Sequence, residues 1–297
     1  GRMIREICFI AGQNFSGWHK KGRIWMSFAL GLVLCLMLSD QMLAKAQTYE
    51  AAVQIFEPFI WTFGNGQSVL LSTLLLLVLF ADMPFINQVV PYRLIRTTRK
   101  IWLAGQVLYV VLSVVIYNLF LFLVEAVIAF PWAYTGNVWS ETSAAFAYSK
   151  EGLAAVPVSL KTMEISMPYE CAAKVFLLML LYSLFIASLM LLLNLTAGNG
   201  AGVLGAILIN LYGYLLSPKL IQQIFDIPSG TLYRANVLCG WLSPLNHATF
   251  PLHNFGYDYL PEIWMSVVLF LAAIALLLIL SAVRMGKYNF TFAQVEE

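Results

Sequence analysis

The chain has 297 residues, of which 61% are apolar and 11% charged, with a formal net charge of +2 and a mean hydropathy of +0.80. Soluble domains average about 45–50% apolar and about 25% charged residues, so the surplus apolar surface has to face lipid. The basic residues stand at the ends of apolar runs and form no single patch, which excludes a nucleic-acid-binding surface.

Apolar runs extend over nearly the whole chain and leave no stretch for a separate soluble domain, so residues 1–297 read as one membrane domain. Gly1 and Arg2 precede Met3, which reads as a start with a tag remnant before it. No cleavable signal peptide is expected, because the first long apolar run opens near Ile24 without a small-residue cleavage site. Ahead of it, Ile4, Ile7, Cys8 and Ala11 recur at helical spacing beside Arg5 and Glu6. This predicts an interfacial helix over about 3–22, with its apolar face in lipid and its charges toward headgroups.

A bilayer span needs about 20 apolar residues. Six runs qualify, at about 24–44, 59–81, 101–129, 171–195, 198–218 and 263–283. The predicted fold is therefore an all-α membrane protein with six transmembrane helices, an amino-terminal interfacial helix and a helical outer segment before the last span. Orientation follows from the Lys and Arg distribution. With the amino terminus inside, Arg2, Arg5, Lys20, Lys21, Arg23, Arg93, Arg96, Arg99, Lys100, Arg284 and Lys287 lie inside. Lys45, Lys150, Lys161, Lys174, Lys219 and Arg234 lie outside, while Glu6, Asp82, Glu296 and Glu297 are the inner acids. Both termini are thus expected in the cytoplasm of a multi-pass cell-membrane protein. The outer segment at about 219–262 carries Pro228, Pro244, Pro251 and Pro261 among aromatic residues, which predicts short helices dipping toward the interface.

Span two carries Trp61, Asn65, Ser68 and Ser72 at i, i+4, i+7 and i+11, and span five carries Asn210, Tyr214 and Ser217 at similar spacing. Polar groups in hydrocarbon need a partner or a cavity, so these faces read as interior, turned either to a substrate or to another helix. Gly198 with Gly202, and Ala201 with Gly205, form small-xxx-small pairs that permit close helix contact. Glu125 lies inside an apolar run. If span three ends near it, the carboxylate reaches outer water, which is the reading adopted; a longer span would require a buried partner. Asp40 poses the same question at the outer end of span one.

No GxxxxGK[ST], HExxH or GxSxG motif occurs, so the chain is expected to bind no nucleotide and to have no catalytic residues. Cys8, Cys35, Cys171 and Cys239 show no CxxC pairing and read as packing residues. His19 should lie across the membrane from His247 and His253, which read as loop residues, so no metal site is expected. Between spans two and three, DMPFINQVVPYRLIRTTRKIWLAGQVLYV places Arg93, Arg96 and Lys100 at helical spacing, with Pro91 and Arg99 beside them. Such charges present one basic face, or fix topology and touch lipid phosphates.

The amphipathic amino terminus, six spans, the basic loop leading into RxxRTTRKIWLAGQVLY and the large outer segment resemble the type-2 ABC transporter permeases. The outer stretch 131–170 is longer than that family usually has. The resemblance implies a coupling helix at about 83–97, with the interfacial amino-terminal helix as a second contact, docking on a separate cytoplasmic ATPase that holds ATP and Mg, and makes Pro91, Arg93, Arg96, Arg99 and Lys100 the coupling candidates. It also implies a second permease subunit, with spans two and five facing each other across a path lined by Trp61, Asn65, Ser68, Ser72, Asn210 and Tyr214. Two other functions compete. An ion-coupled secondary transporter would need midplane carboxylates or broken helices, and an intramembrane enzyme would need a cluster of acid, base or nucleophile.

Overall fold

The computed structural model describes residues 1–81, 83–84, 90–94, 96–156 and 158–289. Asp82, Glu296 and Glu297 of the charge balance, and residues 85–89 and 95 of the inner loop, lie outside the described residues. The protein is helical almost throughout. Its β structure among the described residues is one parallel pair of two-residue strands, β1 (Val53–Gln54) against β2 (Ala133–Tyr134).

Helix α1 (Arg2–Ser16) and a single 3-10 turn (Trp18–Lys20) occupy the predicted interfacial stretch. Among the described residues, four helices are long and apolar enough to cross a membrane: α2 (Gly22–Thr48), α6 (Arg99–Ala129), α10 (Pro168–Ala197) and α15 (Ile263–Gly286). The second and fifth predicted spans are not single helices. Residues 59–81 fold as α3 (Glu57–Phe63) and α4 (Gly66–Phe80), bent by 85°, and 198–218 as α11 (Ala201–Leu215) with α12 (Pro218–Ile224) following at another 85° bend. Counting each bent pair as one span gives six.

Local chemistry accounts for both bends. Gly64 sits where a Cβ would come within 2.5 Å of the Ile60 carbonyl oxygen, and the Asn65 side chain caps α4 by accepting from Gln67 N–H. Past α11, Ser217 caps Leu220 N–H and Pro218 starts α12, because proline can open a helix but not continue one. At 15 residues each, α4 and α11 rise about 22 Å, short of a hydrocarbon core of about 30 Å.

The turn from α10 into α11 uses left-handed glycines, Gly198 at φ +91° and Gly200 at φ +92°, a conformation open to glycine without steric penalty. Gly198 therefore lies outside α11, so the Gly198/Gly202 pair does not share one helix face as predicted. Gly202 and Gly205 instead let α11 approach the end of α10, where added Cβ atoms would strike Asn194 and Leu193.

Helix α10 runs through the middle of the bundle against α15, α11, α6, α3 and α4. Helix α2 lays Gly31, Cys35 and Ser39, one buried face at i, i+4 and i+8, along α6. Helix α1 is fastened to the start of α6: Asn14 Nδ2 donates to Gln106 Oε1 at 3.0 Å and Trp18 Nε1 to the Tyr109 hydroxyl at 2.9 Å. Its predicted lipid face is therefore split. Ala11 is buried, whereas Ile4 and Cys8 are exposed together with Met3 and Phe9.

Between α6 and α10 lie the short helices α7 (Glu141–Tyr148), α8 (Lys150–Ala155) and α9 (Leu160–Ile165). Before α15 come α13 (Leu232–Leu242) and α14 (Pro244–His247), in keeping with the predicted broken outer segment. Lys161 of α9 joins the two regions, donating to the His253 carbonyl at 2.9 Å and pairing with Asp258 at 3.4 Å.

Gly105 is the contact on which the seat of α1 depends, since a Cβ there would lie 2.5 Å from Ile10 Cγ2. Gly105→Val is expected to lift α1 off α6 without preventing membrane insertion. A cysteine placed at Ala11 should then turn from unreactive to reactive toward maleimide.

Candidate functional site

A cavity of about 230 Å³ lies where α2 meets the bend between α3 and α4, lined by Ser39, Gln41, Met42, Pro58, Thr62 and Leu71 together with Trp61, Asn65 and Ser68. Three of the predicted path residues thus share one wall, but not as a stripe on one helix. Trp61 belongs to α3, Asn65 caps α4, and Ser68 follows in its first turn. Trp61 is held firmly, stacked on Trp139 at 5.1 Å and donating to Ser143 Oγ at 2.9 Å.

The other three predicted path residues are elsewhere. Ser72 is buried and donates to the Val69 carbonyl at 2.8 Å. Asn210 is buried between helices, with Oδ1 accepting from the Tyr182 hydroxyl at 2.6 Å and from Thr73 Oγ1 at 3.4 Å. It joins α11 to α10 and α4 within the chain and lines no part of this cavity. Tyr214 is 55% exposed on α11. Asn210 thus contacts other helices, while Asn65 and Ser68 line the cavity.

Glu125 corrects its reading as a carboxylate in outer water. Helix α6 continues past it, and the side chain is fully buried, accepting a hydrogen bond from Ser39 Oγ of α2. Ser39 also lines the cavity, so one hydroxyl connects the cavity wall to a buried carboxylate. Asp40, next in sequence, is exposed.

A second buried acid was not singled out in the sequence. Glu57 opens α3 and accepts from Gln54 N–H at 3.3 Å, Ser140 N–H at 2.7 Å and Ser140 Oγ at 2.5 Å. It pins the 131–170 stretch over α3 and the cavity. Its sequence signal is an acid followed by proline at a helix start, just ahead of the predicted second span.

His253 lies in a loop, as read, whereas His247 ends α14, and both are buried. Their rings meet the Ser266 hydroxyl of α15, His247 through Nδ1 at 2.7 Å and His253 through Nε2 at 2.9 Å. The opposite nitrogens face the carbonyls of Trp241 at 2.9 Å and Phe250 at 3.1 Å. Burial pushes His253 down to about 4 and lowers His247 from its ordinary value. Among the described residues, no three His, Cys, Asp or Glu side chains converge to hold a metal ion.

The predicted basic face at the inner loop is broken. Helix α5 (Val90–Arg93) is one turn ending at Arg93, Arg96 lies in a turn and is exposed, and Thr98 caps a new helix that begins with Arg99 and Lys100. Pro91 is buried. Arg99 is not a free charge: its Nη1 donates to the carbonyls of Gly286 at 3.0 Å and Tyr288 at 2.9 Å, closing the carboxyl end of α15.

Compared with protein-family models, curated proteins and solved structures, the chain finds a match in none of the three.

Truncating Glu57 to Ala strands buried donors of Ser140 and Gln54, an expected loss of at least about 2 kcal/mol. Thermal unfolding of the purified protein measures the loss, and limited proteolysis within 131–170 should accelerate. The histidines set a pH window. An imidazole held below its unfolded value binds fewer protons in the native state, so stability is full above about 6.5 and falls as pH drops toward 4. The melting temperature should decline over that interval, and His253→Gln should flatten the decline.

Proposed function

We propose that the chain is the membrane-spanning subunit of an ATP-driven exporter of the type-2 ABC class, paired with a second permease subunit and driven by a separate cytoplasmic ATPase that holds ATP and Mg. The observation that carries this reading is the fastening of α1 along the start of α6. It gathers Arg5 and Arg96 at one end of the bundle, beside the segment through which the resemblance expects coupling. The absence of a phosphate-cradling loop from the sequence agrees with ATP hydrolysis residing in another chain.

On this reading both termini and the basic end face the cytoplasm of the cell membrane, as the Lys and Arg distribution directs. The substrate enters the cavity of Trp61, Asn65 and Ser68. Its lining of aromatic, thioether, hydroxyl and amide groups suits an amphipathic, uncharged surface better than a small ion. Movement arises because the ATPase contacts the two conformations of the permease differently. The bends at Gly64 and Ser217 place hinge-forming residues at the ends of α4 and α11.

A second reading, an ion-coupled carrier, is favoured by one observation, the burial of Glu125 between α2 and α6. An intramembrane carboxylate with a named partner is a feature such carriers use. The two readings separate in one experiment. Affinity isolation of the full chain from its native membrane should bring down an ATPase, and Arg93→Glu with Lys100→Glu should weaken that association several-fold while insertion persists. Isolation without any ATPase, combined with uptake into vesicles driven by an ion gradient alone, would replace the exporter with the carrier.

A further inference from the structure

The largest cavity among those described is not the one beneath the outer helices. It is a groove of about 650 Å³ at the opposite, basic end, between α1 and the start of α6. Helix α1 contributes Arg2, Arg5, Glu6, Phe9, Ile10 and Gln13, and α6 with its leading turn contributes Arg96, Thr97 and Trp102. The α1 residues fall at intervals of three and four, so they form one continuous face. Among the described residues lining the groove, the one acid is already engaged: Glu6 accepts from Arg2 Nε at 3.1 Å and from Thr97 Oγ1 at 3.4 Å. Among the described residues, neither the Arg5 nor the Arg96 guanidinium makes an ion pair, and both residues are exposed.

The groove is thus cationic at its rim and apolar along Phe9, Ile10 and Trp102. Phe9 is 64% exposed, and Met3 and Ile4 are exposed nearby on the same helix, a surface that water would not leave bare but lipid accommodates. A small free anion would use only the rim. A soluble acidic peptide would leave the apolar part of the groove unmatched. An amphiphile with a phosphate at one end and hydrocarbon at the other meets both parts, and guanidinium groups bind phosphate through paired N–H donors.

We propose that this groove holds an anionic phospholipid, with the guanidinium groups of Arg5 and Arg96 on its headgroup phosphate and Phe9, Ile10 and Trp102 against the first part of an acyl chain. The lipid adds to the Asn14–Gln106, Trp18–Tyr109 and Thr97–Glu6 bonds, and so braces α1 further against the turn that leads into α6. This assignment does not depend on any ATPase partner.

The test uses the full chain in detergent, with native mass spectrometry of retained lipid. Phosphatidylglycerol and phosphatidylcholine of identical acyl chains are titrated separately, and inorganic phosphate is added as a competitor. Wild type should retain phosphatidylglycerol at about tenfold lower concentration than phosphatidylcholine, through two charge-assisted contacts. The double variant Arg5→Gln, Arg96→Gln should lose that preference and keep its phosphatidylcholine binding. A double Arg→Lys variant, which keeps the charges, should lie between the two and controls for misfolding. Equal retention of the two lipids by wild type, or a preference surviving in the double glutamine variant, overturns the proposal. Displacement of phosphatidylglycerol by millimolar phosphate would reduce the groove to a site for a free anion. Loss of a bound protein partner in the variant, with no lipid preference in wild type, would make the groove a protein-docking surface instead.

Discussion

Hydrocarbon offers no hydrogen bonds, so a polar side chain carried into the bundle is costly unless another group of the chain meets it, and among the described residues Asn118 is buried with neither amide atom met. Ser39 meets Glu125 between α2 and α6. Tyr182 and Thr73 meet Asn210 where α10, α4 and α11 converge. Asn194 is satisfied on both sides, donating to the Met83 carbonyl and accepting from Gly202 N–H at 2.8 Å. These bonds are few, but they set register: sliding any of these helices by one residue would leave a carboxylate or an amide bare in an apolar interior. The small residues serve the same end. Gly31 lets Tyr117 lie close enough to reach the Ser27 carbonyl at 3.4 Å.

The two bends give the bundle its asymmetry. A straight helix through residues 59–81 would have placed Trp61, Asn65, Ser68 and Ser72 on one face in the plane of a neighbour. With the chain turned at Gly64, α3 lies across the end of α4, and the cavity forms in the angle between them against α2. The 131–170 stretch closes over that angle through Glu57 and the Trp61–Trp139 stack. The second bend carries the chain into α12 and α13, and the His247–Ser266–His253 contacts return it to α15. The region that resembles an elaborated loop is therefore a cover joined by charge, ring and imidazole contacts.

At the opposite end the organisation is electrostatic. Arg99 stabilises the exposed carbonyls at the end of α15 and binds the last described residues to the start of α6. With Arg99 so committed, the exposed Arg5 and Arg96 are among the charges left to face a ligand, a lipid or a partner. Sequence spacing set Arg96 on a basic face with Arg99 beside it, and Arg5 on the interfacial helix. Their separation into an internal clasp and an open rim follows from Thr98 ending one turn and starting the next helix.

Residue order by itself determined that this chain belongs in a membrane, that its structure is helical, and where each apolar segment lies, because these follow from local sums: hydrophobicity over about 20 residues, prolines, and the placement of Lys and Arg. It also marked Trp61, Asn65 and Ser68 as interior, since polar groups in an apolar run have few alternatives. Tertiary structure alone decided what each polar group faces. Glu125 stands at the same place in the sequence whether it meets water or Ser39; the choice belongs to α2, some 86 residues away. Asn210 was turned toward Tyr182 and Thr73 by how closely Gly202 and Gly205 let α11 approach α10. The burial of His247 and His253 likewise depended on Ser266, a hydroxyl on another helix whose partners no local window contains. Periodicity tells which residues share a face, and only the packed neighbours decide what that face touches.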